Sequence, residues 1–572
     1  MRNSGLLLTL AGLGLALPAC GGGGNGEDNL PTGVDTMGDD AGADAGDDAA
    51  DDAGDSAGDD AGDGPMATVC DEMTFDNVVD EAACPYIEAE GIEPPPADGV
   101  EFCRRAYIDL LGVAPLDTDY EADCKWKTPA EIVDDFMTRP EYVLLNQRAW
   151  GDTFHYSADL VHHEYIADLD ALVGQVYQGL MTYDEFAEIA ATHPAFLGRW
   201  DGVDLVGFNF LAFLGRDANP AEREALEPMW HLWAERDAPH PNQSNARAVV
   251  LDTLACSPNQ SDCNSNYWGD VTVLIPPPVP GDTNPNGPNV IDQSALSAAD
   301  WDVLRTPGRM MAQQAVFHEA YVDRALQHYL GYDAGGDLPE VRQALVDLMD
   351  ATNGDVIAVE REILTSGLYT STNVYAEDDK IDPAEFDPAY WHGPVKQMDA
   401  EDWLRSAARL IGQEPGNCDH RFPNVQTGAA GMHANIYPAL ANGMPDYSFR
   451  DRARLLGGCP DHETQFRAVR TGLIAALTQA TLTTELCAAA TADSPIYPLQ
   501  FIEDPTDKSE EALSAAANQI YSAATIRPIP DGAAEAMMTG IDGCRDDLEC
   551  EPQHFAIETC RLTLKAADFL FY

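Results

Sequence analysis

Positive charge is scarce in this chain. Thirty-two Lys and Arg residues face 97 Asp and Glu, for a formal net charge of −65. No Lys or Arg occurs between Arg2 and Arg104. Binding phosphate needs cationic side chains, so a nucleic-acid partner is not expected. Acidic character of this kind mainly promotes solubility. No two cysteines stand in a Cys-x-x-Cys pattern, which leaves zinc ribbons and thioredoxin-like chemistry without support. There is likewise no Cys-x-x-Cys-His, so covalent c-type haem is not expected. No Walker loop stands out. Runs of β-branched residues are few, and Val271 to Ile275 is the main one. A sheet-dominated fold is therefore not expected.

The first residues read as an address. Arg2 precedes an apolar run from Leu6 to Leu17, too short to span a bilayer comfortably and suited to a signal-peptide core. Leu17-Pro18-Ala19-Cys20 resembles the lipobox of bacterial lipoproteins. That resemblance implies cleavage after residue 19 and acylation of Cys20, with membrane attachment through the N-terminal lipid. Several acyl chains anchor stably, since each buried methylene contributes roughly 0.8 kcal/mol. Gly21, where aspartate would favour inner-membrane retention, implies an outer-membrane lipoprotein facing the periplasm or the cell surface. Residues 20–65 are rich in Gly, Ala and Asp, with almost nothing apolar. Such a segment cannot offset chain entropy by burial and is expected to be a disordered, self-repelling tether. No closing bidentate Glu sits at EF-hand spacing, so a calcium trap is the weaker reading.

Beyond Cys20 twelve cysteines remain, an even set that points to disulfides in an exported chain. Cys256 with Cys263, and Cys544 with Cys550, are spaced to close short local loops. The body reads as mainly α. Thr128-Pro129-Ala130-Glu131 has a cap, a first-turn proline and a capping-box acid, and Asn219-Pro220 and Leu338-Pro339-Glu340 open similar runs. Val341, Leu345, Leu348 and Met349 recur at helical spacing. A loose helix-loop-helix repeat starts at Phe102–Gly112, Phe208–Gly215 and Tyr321–Gly331, each opening helix ending on a glycine suited to a left-handed cap. The expectation is a disulfide-stapled multi-helix array. It comprises an N-terminal helical domain at 66–275, a Pro/Asn/Gly-rich linker at 276–300 and a C-terminal helical domain at 301–572. Another possible boundary lies near 373–400.

Four stretches carry a wider resemblance: Arg104-Arg105-x-Tyr107-x-Asp109-Leu110-Leu111-Gly112-x-x-Pro115, Ile363-Leu364-Thr365-Ser366-x-x-Tyr369, Gly393-Pro394-Val395-Lys396-Gln397-Met398-Asp399-Ala400-Glu401, and Arg454-Leu455-Leu456-Gly457-Gly458-Cys459-Pro460-Asp461. In this order they resemble exported bacterial domains of unknown function that accompany planctomycete-type cytochrome c domains. The resemblance implies location and a helical fold more than chemistry, since that family has no settled activity.

Three clusters are candidates for chemistry. Tyr390, Trp391, His392 and Lys396, followed by Glu401 and Trp403, bring aromatics and charges beside a Gly-Pro turn, as a ligand pocket would; packing on a capped helix start at Asp399 is the plainer alternative. His155, Asp159 and His163 at helical spacing form a possible transition-metal set, against a polar helix surface. Asp461 and His462 follow a Gly-Gly-Cys-Pro turn, where a disulfide staple through Cys459 is the simpler role. His318 and His328 have no spacing argument. The leading expectation is a non-catalytic, lipid-anchored envelope protein that binds another exported protein or an envelope polymer. The alternatives are a metal-assisted extracellular hydrolase and an accessory to an extracytoplasmic redox system.

Overall fold

A computed structural model describes residues 70, 73–90, 95–155, 163–197, 205–226, 230–233, 247–254, 267–275, 297–372, 393–412, 452–459, 473–547 and 549–572. Residues 1–69, with the expected signal peptide, Cys20 and tether, and most of the expected linker at 276–300 lie outside these residues. The fold is mainly helical. The first set of helices comprises α1 (Val78–Glu90), α2 (Gly99–Leu111), α3 (Pro129–Phe136), α4 (Pro140–Phe154), α5 (His163–Val176), α6 (Tyr183–Ala190), α7 (Leu205–Leu214) and α8 (Pro220–Leu226). Then come strands β1 (Trp230–Trp233), β2 (Arg247–Leu254) and β3 (Tyr267–Ile275), an antiparallel sheet in the order β1-β2-β3 with Val249 opposite Val273. The Val271–Ile275 run thus lies in a strand. The later helices are α9 (Ala298–Ala312), α10 (Val316–Leu330), α11 (Pro339–Ala351), α12 (Val356–Thr365), α13 (Ala400–Leu410), α14 (Leu473–Ala489), α15 (Glu510–Thr525), α16 (Asp531–Asp546) and α17 (Pro552–Thr563).

The helix starts follow their side chains. Thr128 Oγ1 accepts from Glu131 N while Glu131 Oε2 accepts from Thr128 N, with Pro129 at the first helical position of α3. Asn219 Oδ1 accepts from the amides of Ala221 and Glu222 at the start of α8. The opening helices of the repeat, α2, α7 and α10, are followed by Gly112, Gly215 and Gly331, all with left-handed φ. Four disulfides join described cysteines: Cys70–Cys84, Cys103–Cys124, Cys487–Cys560 and Cys544–Cys550. Cys459 is also disulfide-bonded, whereas Cys256 and Cys263 lie outside the described residues. Disulfides in this number place the chain outside the cytoplasm. No described helix is long and apolar enough to cross a membrane.

Described residues on both sides of 276–300 share one core. One core runs from Val79 through Phe154, Phe186 and Phe213 to Leu304, Phe317, Leu345 and Tyr369. Helix α9 packs on the end of α6, where Thr192 Oγ1 donates to Leu304 O at 2.7 Å and Arg309 pairs with Glu188 at 3.3 Å. The described residues before and after 276–300 therefore do not form two separate cores. A second core gathers Met398, Trp403, Leu456, Leu486, Ile520, Cys560 and Phe569, and also takes Ile108 and Ala114. Helix α2 lies between the two cores: Phe102, Tyr107 and Leu110 face the first and Ile108 the second. Every residue from Glu101 to Leu111 is consequently buried, four of them charged.

Candidate functional site

Burying Glu101, Arg104, Arg105 and Asp109 on one helix demands partners, because an uncompensated charge in an apolar interior is strongly unfavourable. Most of the partners they have come from segments distant in sequence, while Arg104 Nε and Nη1 and Arg105 Nε have none among the described residues. Arg105 donates through Nη1 to the carbonyls of Tyr369 and Ser371, the latter at 2.9 Å, and through Nη2 to Glu101 Oε1 at 2.9 Å. Thr372 Oγ1 donates to the other Glu101 oxygen at 2.7 Å. Arg104 Nη2 reaches Phe569 O at 2.9 Å, its guanidinium lying 5.5 Å from the Phe569 ring centre. Burial pushes the Arg104 pKa down to about 10.

Asp109 is the centre of the arrangement. Both of its oxygens accept from Lys396 Nζ at 2.5 Å, while the Tyr369 and Tyr572 hydroxyls donate at 2.8 and 2.9 Å. Lys396 Nζ also donates to His328 O at 3.1 Å and lies over the Tyr572 ring at 4.9 Å. Its three ammonium donors are thereby engaged. Burial lowers the Lys396 pKa and the Asp109 charge opposes that shift. The backbone ties the same segments together: Ala97 N donates to Thr370 O, Thr372 N to Pro95 O, Gly393 N to Thr372 O, and Lys396 and Tyr572 exchange amide and carbonyl at 2.9 Å each way. Farther along, Glu401 Oε1 accepts from Cys459 N at 2.8 Å, Arg148 pairs with Asp402 at 2.9 Å, and Trp403 Nε1 donates to Leu564 O at 3.1 Å.

A second buried carboxylate lies in the first core. Glu360 accepts from the hydroxyls of Tyr142, Tyr321 and Tyr329 at 2.5, 2.6 and 2.7 Å. Burial raises its pKa, and the three phenol bonds work against that rise. The two centres are reciprocal: Tyr369, just after α12, donates to Asp109 on α2, and Tyr142 at the start of α4 donates to Glu360 on α12.

The sequence candidates fare differently. Lys396 belongs to the Asp109 centre, and Glu401 and Trp403 are fully buried on α13, where they hold Cys459 and Leu564. Tyr390, Trp391 and His392 lie outside the described residues, as do Asp159, Asp461 and His462. His155 is not within a helix. It follows the last residue of α4 with φ 51°, and α5 starts only at His163. The left-handed backbone at His155 ends the 3.6-residue period on which its place on a shared helix face depended, and residues 156–162 lie outside the described residues. Among the described residues, no group of three or more His, Cys, Asp or Glu side chains is arranged to hold a metal ion.

Comparison with protein-family models, with curated proteins and with solved structures finds no match for the chain. Tyr369, Tyr572 and Glu360 were missed as site residues in the sequence reading, and Asp109 entered only as part of a motif. A signal for Glu360 was present: it is an acid on the apolar stripe formed by Val356, Val359, Ile363 and Leu364. His318 was missed as well. Its Nδ1 meets Asp350 Oδ1 at 2.5 Å and its Nε2 meets Asp184 Oδ2 at 2.9 Å. Nothing in the spacing of those three residues announces the contact.

Proposed function

We propose that this chain is an outer-membrane lipoprotein, anchored through Cys20, whose helical body acts by binding another exported protein or an envelope polymer. The observation that carries this reading is the closure of the Asp109 centre. Lys396, Tyr369 and Tyr572 donate to Asp109, and Arg105 donates to Glu101 and to backbone carbonyls. A general acid, base or nucleophile needs a reacting atom within hydrogen-bond reach. These groups instead join distant segments into a rigid body, which favours binding through a preformed surface. The disulfides and the acidic tether fit a body held outside the cytoplasm. The likeness to exported domains of unknown function supports the same location, and the residues carrying it at Arg105, Asp109, Tyr369 and Lys396 lie in or beside the Asp109 centre.

The test is cross-linking in intact cells, followed by detergent purification of the full chain from membranes. One envelope component is expected at constant stoichiometry. A chain that elutes alone at every cross-linking dose overturns the binding reading. Cys20→Ser is expected to move the protein from the membrane to the soluble fraction, and retention in the membrane contradicts the anchor.

A further inference from the structure

We propose that His318 is a pH-sensitive latch that joins the start of α6 to the end of α11 while its ring is protonated. The geometry demands the charged ring. A neutral imidazole has one N–H and one acceptor nitrogen, whereas two carboxylates can be bridged by donation from both nitrogens only when both carry hydrogen. Asp184 approaches Nε2 from α6 and Asp350 approaches Nδ1 from α11. The ring itself belongs to α10, so the contact spans three helices.

Other charged groups on the surrounding elements are engaged elsewhere. On α10, Glu319 and Asp323 pair with Arg342 of α11, and Arg324 donates to Ala212 O of α7. On α11, Asp347 accepts from Gln343. On α6, Glu185 accepts from Thr182 N in the capping box and Glu188 pairs with Arg309 of α9. Asp355 caps α12. The ring is partly buried, but Asp350 is exposed, so the contact lies where solvent protons reach it.

The latch also holds a loop. Between α11 and α12 the chain turns through Asn353 and Gly354, both with left-handed φ. Tyr183 N donates to Gly354 O at 3.0 Å, and a Cβ at residue 354 would lie 2.3 Å from Asp184 Oδ2. The loop is thus pressed against the residue that His318 grips. Burial alone would lower the His318 pKa, but the hydrogen bonds and charges of Asp184 and Asp350 raise it above the ordinary imidazole value. The folded protein therefore keeps the proton longer than the unfolded chain. The latch is closed below the ordinary value and opens as pH rises through the raised one. On opening, the neutral ring donates to one carboxylate and releases the other.

Hydrogen exchange by mass spectrometry on the disulfide-intact full chain tests this, with rates corrected for the intrinsic effect of pH. Protection of segments 182–186 and 350–356 is expected to fall roughly tenfold as pH rises through the His318 titration, the worth of one charge-assisted hydrogen bond. In His318→Gln those segments exchange at the fast rate without a pH step. Asp350→Asn, at an exposed site, is expected to shrink the step and covers the case in which the glutamine variant fails to fold. A ring that titrates at or below the ordinary value, or wild-type and variant profiles of the same shape, overturns the latch.

Discussion

Gly331 meets two constraints at a single residue. Its φ is +78°, and a Cβ there would come 2.8 Å from Cγ of Lys396, whose stem crosses the end of α10. Gly331→Ala is expected to lower unfolding stability by about 1–2 kcal/mol for the left-handed backbone alone. Displacement of Lys396 from Asp109 should add to that loss. Urea unfolding reads the difference, and an unchanged midpoint would remove both constraints. The glycine itself was legible in sequence as a helix end; the lysine lying across it was not, because 65 residues separate them.

Two histidines should respond to pH in opposite directions. Burial pushes the His193 pKa down to about 3, and its Nδ1 accepts from Ala195 N at 3.2 Å, a bond that needs the unprotonated nitrogen. As pH falls from about 6.5 toward 3, the unfolded chain takes up a proton that folded His193 refuses, so stability falls. His318 has the opposite sign, since its contribution is present below about 6.5 and is lost as pH rises through its raised value. His193→Gln is therefore expected to flatten the acid limb of a stability-versus-pH curve and leave the alkaline limb in place. Loss of the alkaline limb instead would show that the two roles are assigned the wrong way round.

Among the elements, helices were the most legible part of this chain. Thr128, Asn219 and the prolines after them mark starts that side-chain hydrogen bonds realise. Helix α2 shows the limit of such reading. Its charges look like the polar face of a surface helix, yet two cores cover it on opposite sides. Periodicity reports which residues share a face, but not that a second core will cover the polar one. The Cys544–Cys550 loop was legible from spacing because only 6 residues separate its ends, whereas Cys487–Cys560, separated by 73, was not. Chain-entropy scaling predicts that removing the longer crosslink costs roughly 4 kcal/mol and the shorter roughly 2 kcal/mol. Calorimetry of the paired alanine variants checks the order. A larger loss from Cys544→Ala/Cys550→Ala would mean that the short loop has a role beyond loop closure.

At the scale of the molecule, composition marks 276–300 as a break, whereas the described residues on its two sides share one core. The 276–300 stretch looks like a linker because Pro, Asn and Gly avoid regular elements. Packing is decided by apolar faces, and those of α9 and α10 return to the core that α2, α6 and α7 begin. The clearer change of core falls between Tyr369 and Met398, near the further boundary at 373–400. Across that change the molecule is joined by the Asp109 centre, to which α2, Tyr369, Lys396 and Tyr572 all contribute.

A double-mutant cycle at Asp109 and Lys396, read by urea unfolding of the disulfide-intact body, tests that joint most directly. Lys396→Met and Asp109→Asn are each expected to cost about 3–5 kcal/mol, because each disrupts a buried ion pair, and the double variant should lose less than their sum. Single variants that unfold at the wild-type midpoint would contradict the account, since the charges at the centre of the fold would then not be what holds it together.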